Sequence, residues 1–217
     1  MSISAIRFSS LPNRFLNGSP PAGQLPTFTP DNFAPQFAGS AFPGRKAGLT
    51  LHEGRLKDLD EILSFFYRIE QEDYGQEYTP AQQDYLKTYY ENLLKTNRNP
   101  MDYTRIARNP AGEIVALSFM KATDAKTATI DTIYMAPQYR GLGIGDWMVK
   151  QQLKHAKKYG IKMVLANARP VSVYLLAKYG FEIDREGIRQ YRDMTRNHPD
   201  FKSKMPYMIP LKLDLTV

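Results

Sequence analysis

Cysteine is absent from the 217 residues of this chain. That absence excludes disulfide bonds, thiolate metal ligands and a cysteine nucleophile. Histidine is scarce too, since only His52, His155 and His198 occur, and their scatter argues against a histidine-rich metal site. No apolar stretch approaches the ~18 residues that a membrane-spanning helix needs. We therefore predict neither a metal site nor a membrane span.

Acidic residues are absent from the first thirty positions, which contain Arg7 and Arg14. This composition fits an export or organellar signal in residues 1–30, but the apolar core of a secretory signal is missing, so we expect a cytoplasmic protein. Residues 1–47 hold seven of the fifteen prolines and show no persistent period. We predict a flexible arm over residues 1–47 and one folded domain over residues 48–217.

The formal net charge is +7. Such a basic balance suits a polyanionic cofactor, an acidic partner or a nucleic-acid surface. A solvated basic face explains it equally well.

A glycine-rich stretch at residues 140–145 joins a strand-like segment, Thr127 to Met135, to a basic helix. In that helix, Val149, Leu153 and Ala156 recur on one face. Trp147 falls on the opposite, lysine-rich side, where stacking on an adenine or covering by the N-terminal arm are the alternatives. A glycine turn that opens a helix directs free N–H groups and the positive end of the helix dipole to one spot. We therefore predict a phosphate or pyrophosphate site here, and expect α-helix formation to need neither Gly143 nor Gly145.

Two common phosphate-binding motifs do not fit this stretch. A dinucleotide-binding turn has the spacing G-x-G-x-x-G and an acidic residue about 20 positions on, whereas residues 160–166 offer Lys162 and no carboxylate. A P-loop needs Lys and Ser or Thr after its last glycine, and Asp146 stands there instead.

The stretch resembles the signature R/Q-x-x-G-x-G/A of the GCN5-related N-acetyltransferase (GNAT) superfamily. Two further segments support the resemblance: residues 133–137 are similar to the family's fourth strand, and residues 178–181, which end in Gly-Phe, to its closing segment. The resemblance covers roughly residues 48–215. It implies an α/β (α+β) fold in which a mixed central β-sheet carries helices on both faces, with the order β-α-α-β-β-β-α-β-α-β-β.

Local patterns place the elements of that order. Asp58 and Glu61 form a capping-box pattern at the start of a first helix, and Thr79-Pro80 begins a second helix. The acidic residues between the two apolar stripes are expected to lie in a turn: Glu70, Glu72, Asp73 and Glu77. The stripe of the second helix comprises Tyr85, Leu86, Tyr89, Tyr90, Leu93 and Leu94.

The family resemblance implies that the chain transfers an acetyl group from acetyl-CoA, its cosubstrate, to a primary amine of a small molecule or protein. Backbone groups of the fourth strand would pair with the pantetheine arm, and the glycine turn would bind the pyrophosphate. The implied cofactor-binding residues are Ile133, Tyr134, Met135, Arg140, Gly141, Leu142, Gly143, Ile144 and Gly145.

Such a reaction needs a base that takes a proton from the ammonium. Family members place a carboxylate on the fourth strand, and Asp131 matches one of the two positions, while Thr129 occupies the other. Strand alternation puts Asp131 on the same face as Ile133 and Met135. A carboxylate of the acidic turn, Glu72 or Asp73, is the alternative.

The reaction also needs an acid for the departing thiolate, and two alignments compete for it. Counting back from Gly180-Phe181, the family's tyrosine position holds Leu176 and its asparagine position holds Arg169. Anchoring on Asn167 instead makes Tyr174 the acid, since a tyrosine hydroxyl can donate a proton to a thiolate.

A non-catalytic acyl-CoA-binding or nucleic-acid-associated module on the same scaffold is the alternative function. The resemblance disfavours nucleic acid as a partner, and a homodimer stays open. The acidic turn favours a cationic amine, whereas the basic segment from Arg185 to Met205 favours an anionic acceptor.

Overall fold

The computed structural model describes residues 42–95, 99–190 and 208–216. The N-terminal arm up to residue 41, with its candidate targeting signal, lies outside these ranges, as do Tyr207 and most of the basic segment after residue 190. The elements are β1 (Thr50–Glu53), α1 (Leu59–Tyr74), α2 (Pro80–Lys95), β2 (Tyr103–Arg108), β3 (Ile114–Ala122), β4 (Thr127–Met135), α3 (Ile144–Lys158), β5 (Met163–Ala168), α4 (Pro170–Ala177), β6 (Glu182–Ile183) and β7 (Ile209–Asp214). This order confirms the predicted one.

The strands form a seven-stranded sheet in the order β1-β2-β3-β4-β5-β7-β6. Strands β1 to β4 pair antiparallel, and β5 pairs parallel with β4, so the sheet is mixed as predicted. Within the described chain, two compact units can be distinguished: residues 42–166 with 212–216, and residues 167–190 with 208–211.

The core of the larger unit is built around β3. Its residues Ile114 to Met120 are all buried. Because successive side chains of a strand point to opposite faces, both faces of the sheet must be covered at β3. Helices α1 and α3 both contact β3 and β4, and Phe119 packs against Tyr90 of α2 with ring centroids 6.0 Å apart.

Helix α1 begins where predicted, but its predicted capping box is wrong. Asp58 is the N-cap residue and makes no side-chain cap hydrogen bond. Its carboxylate instead accepts hydrogen bonds from Arg55 N–H (3.0 Å) and Arg108 Nη2 (3.0 Å), while Glu61 accepts from Arg108 Nη1 and from Ile114 N–H. The two carboxylates bind the neighbouring sheet, because Arg108 offers a charged donor that competes with the helix N-terminus.

The expected acidic turn after α1 is also corrected. The helix continues to Tyr74, so Glu70, Glu72 and Asp73 lie in its last turns. It ends at Gly75, whose φ of 59° is the left-handed conformation that glycine adopts without strain.

Helix α2 confirms its predicted start. Thr79 N–H donates to Gln82 Oε1 (2.9 Å), and Gln82 N–H donates to Thr79 Oγ1 (3.4 Å), which is the reciprocal pattern of a capping box. Its buried residues are Leu86, Tyr90, Leu93 and Leu94. Tyr85, predicted to be buried, is 44% exposed.

Helix α3 buries Trp147 against residues that precede β1. The Trp147 side chain is 9% exposed, and its ring centroid lies 5.0 Å from that of Phe42. A short 3-10 turn, Pro43–Ala47, follows Phe42. Placing Trp147 on a solvated lysine face was therefore wrong, whereas its covering by a residue of the predicted arm is confirmed for Phe42.

The smaller unit contains α4, β6 and the first half of β7. Pro170 opens α4 at a position where a missing N–H costs no hydrogen bond. Phe181 is buried and follows Gly180, whose φ is 84°. Asp184 N–H donates to Pro210 C=O at 2.9 Å, which joins β6 to β7.

None of the helices in the described ranges has the length and apolar character to cross a membrane. The cytoplasmic location stays a prediction.

Candidate functional site

The two edges of β4 are paired over different lengths. On one edge, the parallel ladder with β5 starts at Thr127↔Met163 and stops at Ile130↔Ala166. On the other edge, the antiparallel ladder with β3 continues to Ala116↔Met135. The second half of β4, residues 131–135, therefore pairs with β3 on one edge. On its other edge, which faces β5, the backbone of these residues pairs with no strand in the described chain. Such an edge can accept an extended ligand as an additional strand.

A β-bulge at Asp131 separates the two halves of β4. Phe119 pairs with Thr132 and Met120 with Ile130, so Asp131 is the extra residue. A bulge interrupts the alternation of side chains along a strand. Asp131 and Thr132 both contact tyrosines of α2, and Tyr134 contacts α1. The expectation that Asp131 shares a face with Ile133 and Met135 is therefore wrong.

The Asp131 carboxylate is held by two hydroxyl groups. Tyr89 Oη donates to Oδ1 at 2.5 Å, and Thr132 Oγ1 donates to Oδ2 at 2.9 Å. Because the Thr132 hydrogen is used in this way, the Tyr90 hydroxyl is the donor in its 3.2 Å contact with Thr132 Oγ1. Burial raises the pKa of the Asp131 carboxyl above its usual value, and the two hydroxyl donors and the nearby Lys121 oppose that shift.

A second carboxylate lies under the C-terminal half of β4. Glu70 is fully buried, and it accepts hydrogen bonds from Tyr134 Oη (2.6 Å) and Tyr78 Oη (2.9 Å). Phe66 packs edge-on against the Tyr134 ring, with centroids 5.3 Å apart. Sequence reasoning missed Glu70 as a buried anchor. Its position four residues after Phe66 on the apolar stripe was the available signal.

Arg140 connects the end of β4 to α1. Its Nε and Nη2 donate to the Met135 carbonyl oxygen at 3.1 and 2.9 Å, and Nη2 also donates to Asp73 Oδ2 at 2.6 Å. Asp73, an alternative base in the sequence analysis, is thus engaged in an ion pair, whereas Glu72 is exposed on α1.

The glycine turn delivers the chain into α3 through two left-handed residues. Gly141 has a φ of 77°, and Gly143, the N-cap residue of α3, has a φ of 76°. The helix then begins at Ile144, and its first hydrogen bond runs from Trp147 N–H to Gly143 C=O at 3.0 Å. The N–H groups of Ile144 and Gly145 precede that bond, so they point out of the helix end where its dipole is positive.

The remaining residues of the turn surround this helix end. Leu142 is 45% exposed. A Cβ atom added at Gly141 would have open space around it, out to at least 4 Å. A short 3-10 turn, Pro137–Tyr139, separates the predicted strand residues Ile133, Tyr134 and Met135 from the predicted residues of the turn, Arg140 to Gly145, and Arg140 binds back to the Met135 carbonyl. This arrangement provides backbone donors for an anion beside an open strand edge.

The residues considered for the acid lie in the smaller unit. Tyr174 is on α4 with 61% of its side chain exposed, whereas Leu176 and Arg169 are buried. The assignment of Tyr174 as the acid stays a prediction.

Comparisons with known proteins agree with this geometry. A family model described as acetyltransferase (GNAT) family matches residues 63–181. A GNAT-family acetyltransferase from Staphylococcus aureus Mu50 has a TM-score of 0.59 at 17% identity, covering 77% of this chain and 99% of that protein. PaiA N-acetyltransferase from Thermoplasma acidophilum, solved with coenzyme A, has a TM-score of 0.56 at 14% identity, covering 76% and 98%.

A third similar structure is a phosphinothricin acetyltransferase from Sinorhizobium meliloti in complex with acetyl-CoA. It has a TM-score of 0.53 at 16% identity, covering 77% of this chain and 89% of that protein. At these identities the likeness shows a shared fold. No curated protein sequence matches this chain significantly.

Proposed function

Since the family model spans more than half of the chain, the protein belongs to the acetyltransferase (GNAT) family, whose cosubstrate is acetyl-CoA, and on that premise we propose that it acetylates a primary amine of a small molecule or protein. The observation that carries the proposal is the half-paired β4. Its open edge at residues 131–135 is followed, after a 3-10 turn and the glycine turn, by a helix N-terminus with outward N–H groups.

We assign the pantetheine arm to the open edge of β4. Backbone groups of Ile133, Tyr134 and Met135 would bind it as a neighbouring strand, which fixes the thioester along the strand direction. Holding thioester and amine in register can contribute several kcal/mol to lowering the barrier, since the two reactants then need not find each other in solution.

We assign the pyrophosphate to the turn before α3. The N–H groups of Ile144 and Gly145 and the helix dipole favour an anion there. The side chain of Arg140 already binds Met135 C=O and Asp73. Its role in this proposal is to fix the turn against β4 and α1, and the backbone supplies the contacts to phosphate.

In the proposed reaction, the amine nitrogen attacks the thioester carbonyl carbon, a C–N bond forms and the C–S bond breaks. Asp131 takes the proton that the ammonium must lose before attack. The raised pKa of its carboxyl makes it a stronger base than an exposed aspartate. The coenzyme A thiolate leaves with the electron pair of the C–S bond and takes up a proton.

Two measurements test the proposal. Acetyl-CoA at 100 times its Kd should stabilise the fold by about 2.7 kcal/mol, which thermal unfolding with increasing ligand would show. A panel of amines, cationic and anionic, should then release free thiol from acetyl-CoA for at least one acceptor class. Stabilisation without thiol release from any amine would favour the non-catalytic alternative, and the absence of stabilisation at millimolar acetyl-CoA would contradict the cosubstrate site.

A further inference from the structure

Tyr89 contacts the proposed base from a different element. It lies on α2, 42 positions before Asp131 in sequence, and its hydroxyl donates to the carboxylate at 2.5 Å. No family motif in the sequence includes this residue. Hydrogen bonds to a charged acceptor are about twice as strong as those between neutral groups.

The surroundings of Tyr89 make it a fixed donor. Its pKa is raised far above the usual range of tyrosine, chiefly by burial and next by Asp131, so the hydroxyl keeps its proton at any pH at which the protein is active. Lys121 of β3 places its ammonium 5.9 Å from the centre of the Tyr89 ring. A cation over the ring face is attracted to it, which helps to hold the Tyr89 ring in place.

Titratable and polar groups on α2, β3 and β4 act on the Asp131 carboxylate. Lys121 on β3 and Thr132 on β4 favour the ionised form of Asp131. On α2, burial and next Asp131 raise the pKa values of Tyr85, Tyr89 and Tyr90. The Tyr89 hydroxyl donates directly to the carboxylate, whereas the Tyr90 hydroxyl contacts Thr132 Oγ1.

We propose that Tyr89 is a positioning residue for the proposed base, because its hydroxyl holds the Asp131 carboxylate in one orientation and in its ionised state. This inference rests on the proposed function. It adds α2 to the parts of the fold that serve the reaction, since α2 supplies the donor that keeps the buried carboxylate ready to accept a proton.

The test is Tyr89→Phe, which removes the hydroxyl and keeps the ring. The hydrogen bond favours the ionised carboxylate, so its loss should raise the pKa of Asp131. The acidic limb of the profile of kcat/KM against pH is then expected to move upward by about one pH unit, the size expected for one hydrogen bond to a charged group. At a pH one unit below the wild-type limb, kcat/KM should fall about tenfold.

A matched control is Tyr90→Phe, the same change at the next position of the same helix. Tyr90 reaches Asp131 only through the Thr132 hydroxyl, so we expect the limb to move less than half as far. A merely structural role for Tyr89 would lower the activity of Tyr89→Phe at all pH values and leave the limb in place.

A direct titration of the Asp131 carboxyl by carbon-13 NMR, in the absence of substrates, separates this inference from the proposed function. Parallel upward movement of the NMR titration and the kinetic limb in Tyr89→Phe would support the inference. An unmoved NMR titration would overturn it, and so would a moved titration with an unmoved limb, since Asp131 would then not be the titrating base. Wild-type protein that transfers acetyl to no amine would contradict the proposed function, while the NMR titration would still show whether Tyr89 holds the carboxylate ionised.

Discussion

Single residues of the turn before α3 show two different reasons for glycine. Gly141 and Gly143 have positive φ values, a conformation that costs other residues roughly 1–2 kcal/mol. Gly145 lies inside α3 at its second position, where any residue can adopt the backbone conformation. The expectation that the helix needs neither Gly143 nor Gly145 is therefore wrong for Gly143, whose backbone conformation favours glycine.

Gly145→Val tests whether a phosphate approaches the backbone closely at this position. Because Gly145 has no positive φ, the change adds side-chain bulk without straining the backbone. We expect acetyl-CoA affinity to fall tenfold or more, about 1.4 kcal/mol, because the added methyl groups stand beside the N–H groups of the helix end. Gly145→Ala is the control, since the family signature accepts alanine here, and its affinity should stay within about threefold of wild type. Isothermal titration calorimetry measures both affinities. Equal affinities for valine and wild type would mean that the pyrophosphate binds elsewhere.

Asp131→Asn tests the base and carries a stability signature. The carboxyl has a raised pKa in the folded protein, so between the unfolded value near 3.9 and the folded value the native state binds more protons than the unfolded chain. Stability must then decrease as the pH rises through this window. The asparagine variant lacks this loss, so its stability relative to wild type should increase from pH 4 upward.

Urea unfolding at a series of pH values measures that difference. If the two stability curves ran parallel from pH 4 to 8, Asp131 would not titrate with a raised pKa. Activity provides the second readout, since loss of a general base costs about 10²- to 10⁴-fold in rate. The asparagine can still accept the Tyr89 hydrogen bond, so the local packing should be retained.

The residues of the turn could be predicted from the sequence because their chemistry is local: consecutive glycines, a helix period and a strand before them. The partners of Asp131, Glu70 and Arg140 could not. The Tyr89–Asp131 contact spans 42 residues, and the Tyr134–Glu70 contact spans 64. The bulge that rotates Asp131 depends on the register between β3 and β4, which no pattern within β4 reveals.

At the scale of elements, α1 is attached to the open half of β4 at two points. Glu70 accepts the Tyr134 hydroxyl, and Asp73 pairs with Arg140, which itself binds the Met135 carbonyl. The half of β4 that lacks β5 thus depends on β3 and α1 for its position. Both contacts come from the last turns of α1, which is why extending this helix to Tyr74 matters for the site.

Glu70→Leu tests the attachment of α1 to β4. The half-buried Tyr78 and Tyr134 hydroxyls lose this acceptor, and a hydrogen bond to a charged group contributes about 1.5–3 kcal/mol. We expect the free energy of unfolding to fall by at least about 2 kcal/mol and kcat/KM to fall with it, since Tyr134 lies on the open strand.

The control for this change is Glu72→Leu in the same turn of α1. Its side chain is exposed, so stability should change by less than about 0.5 kcal/mol. Urea unfolding compares the two variants. If both behaved alike, the buried position of Glu70 would not matter to the fold, and the described attachment would be incidental.

Across the whole molecule, the arm over residues 1–47 stays a prediction, and the structure describes its last six residues, 42–47. That arm was inferred from composition, which averages over many residues and misses a single anchoring side chain. Phe42 is 6% exposed and packs on Trp147, and Gly44 C=O accepts a hydrogen bond from Leu49 N–H at 2.9 Å. We therefore propose that the folded domain begins near residue 42.

Two shortened chains test this boundary, one starting at residue 42 and one at residue 48. Burial of an aromatic ring such as Phe42 contributes roughly 3–5 kcal/mol, judged by its replacement with alanine, so the chain from residue 48 should unfold at a clearly lower temperature. The chain from residue 42 should match the full-length protein. Phe42→Ala in the full-length chain should reproduce the loss, which attributes it to the ring rather than to chain length.

Trp147 is the only tryptophan in the sequence, so its fluorescence reports this contact without interference from another indole. Removal of Phe42 exposes the indole to water, and its emission should shift to longer wavelength before any global unfolding. Trp147 lies one turn into α3, so the same variants should also weaken acetyl-CoA binding if Phe42 steadies the helix end that holds the pyrophosphate. If the chain from residue 48 kept the emission and the melting temperature of the full-length protein, the boundary at residue 48 would stand, and Phe42 would merely rest on a domain that is complete without it.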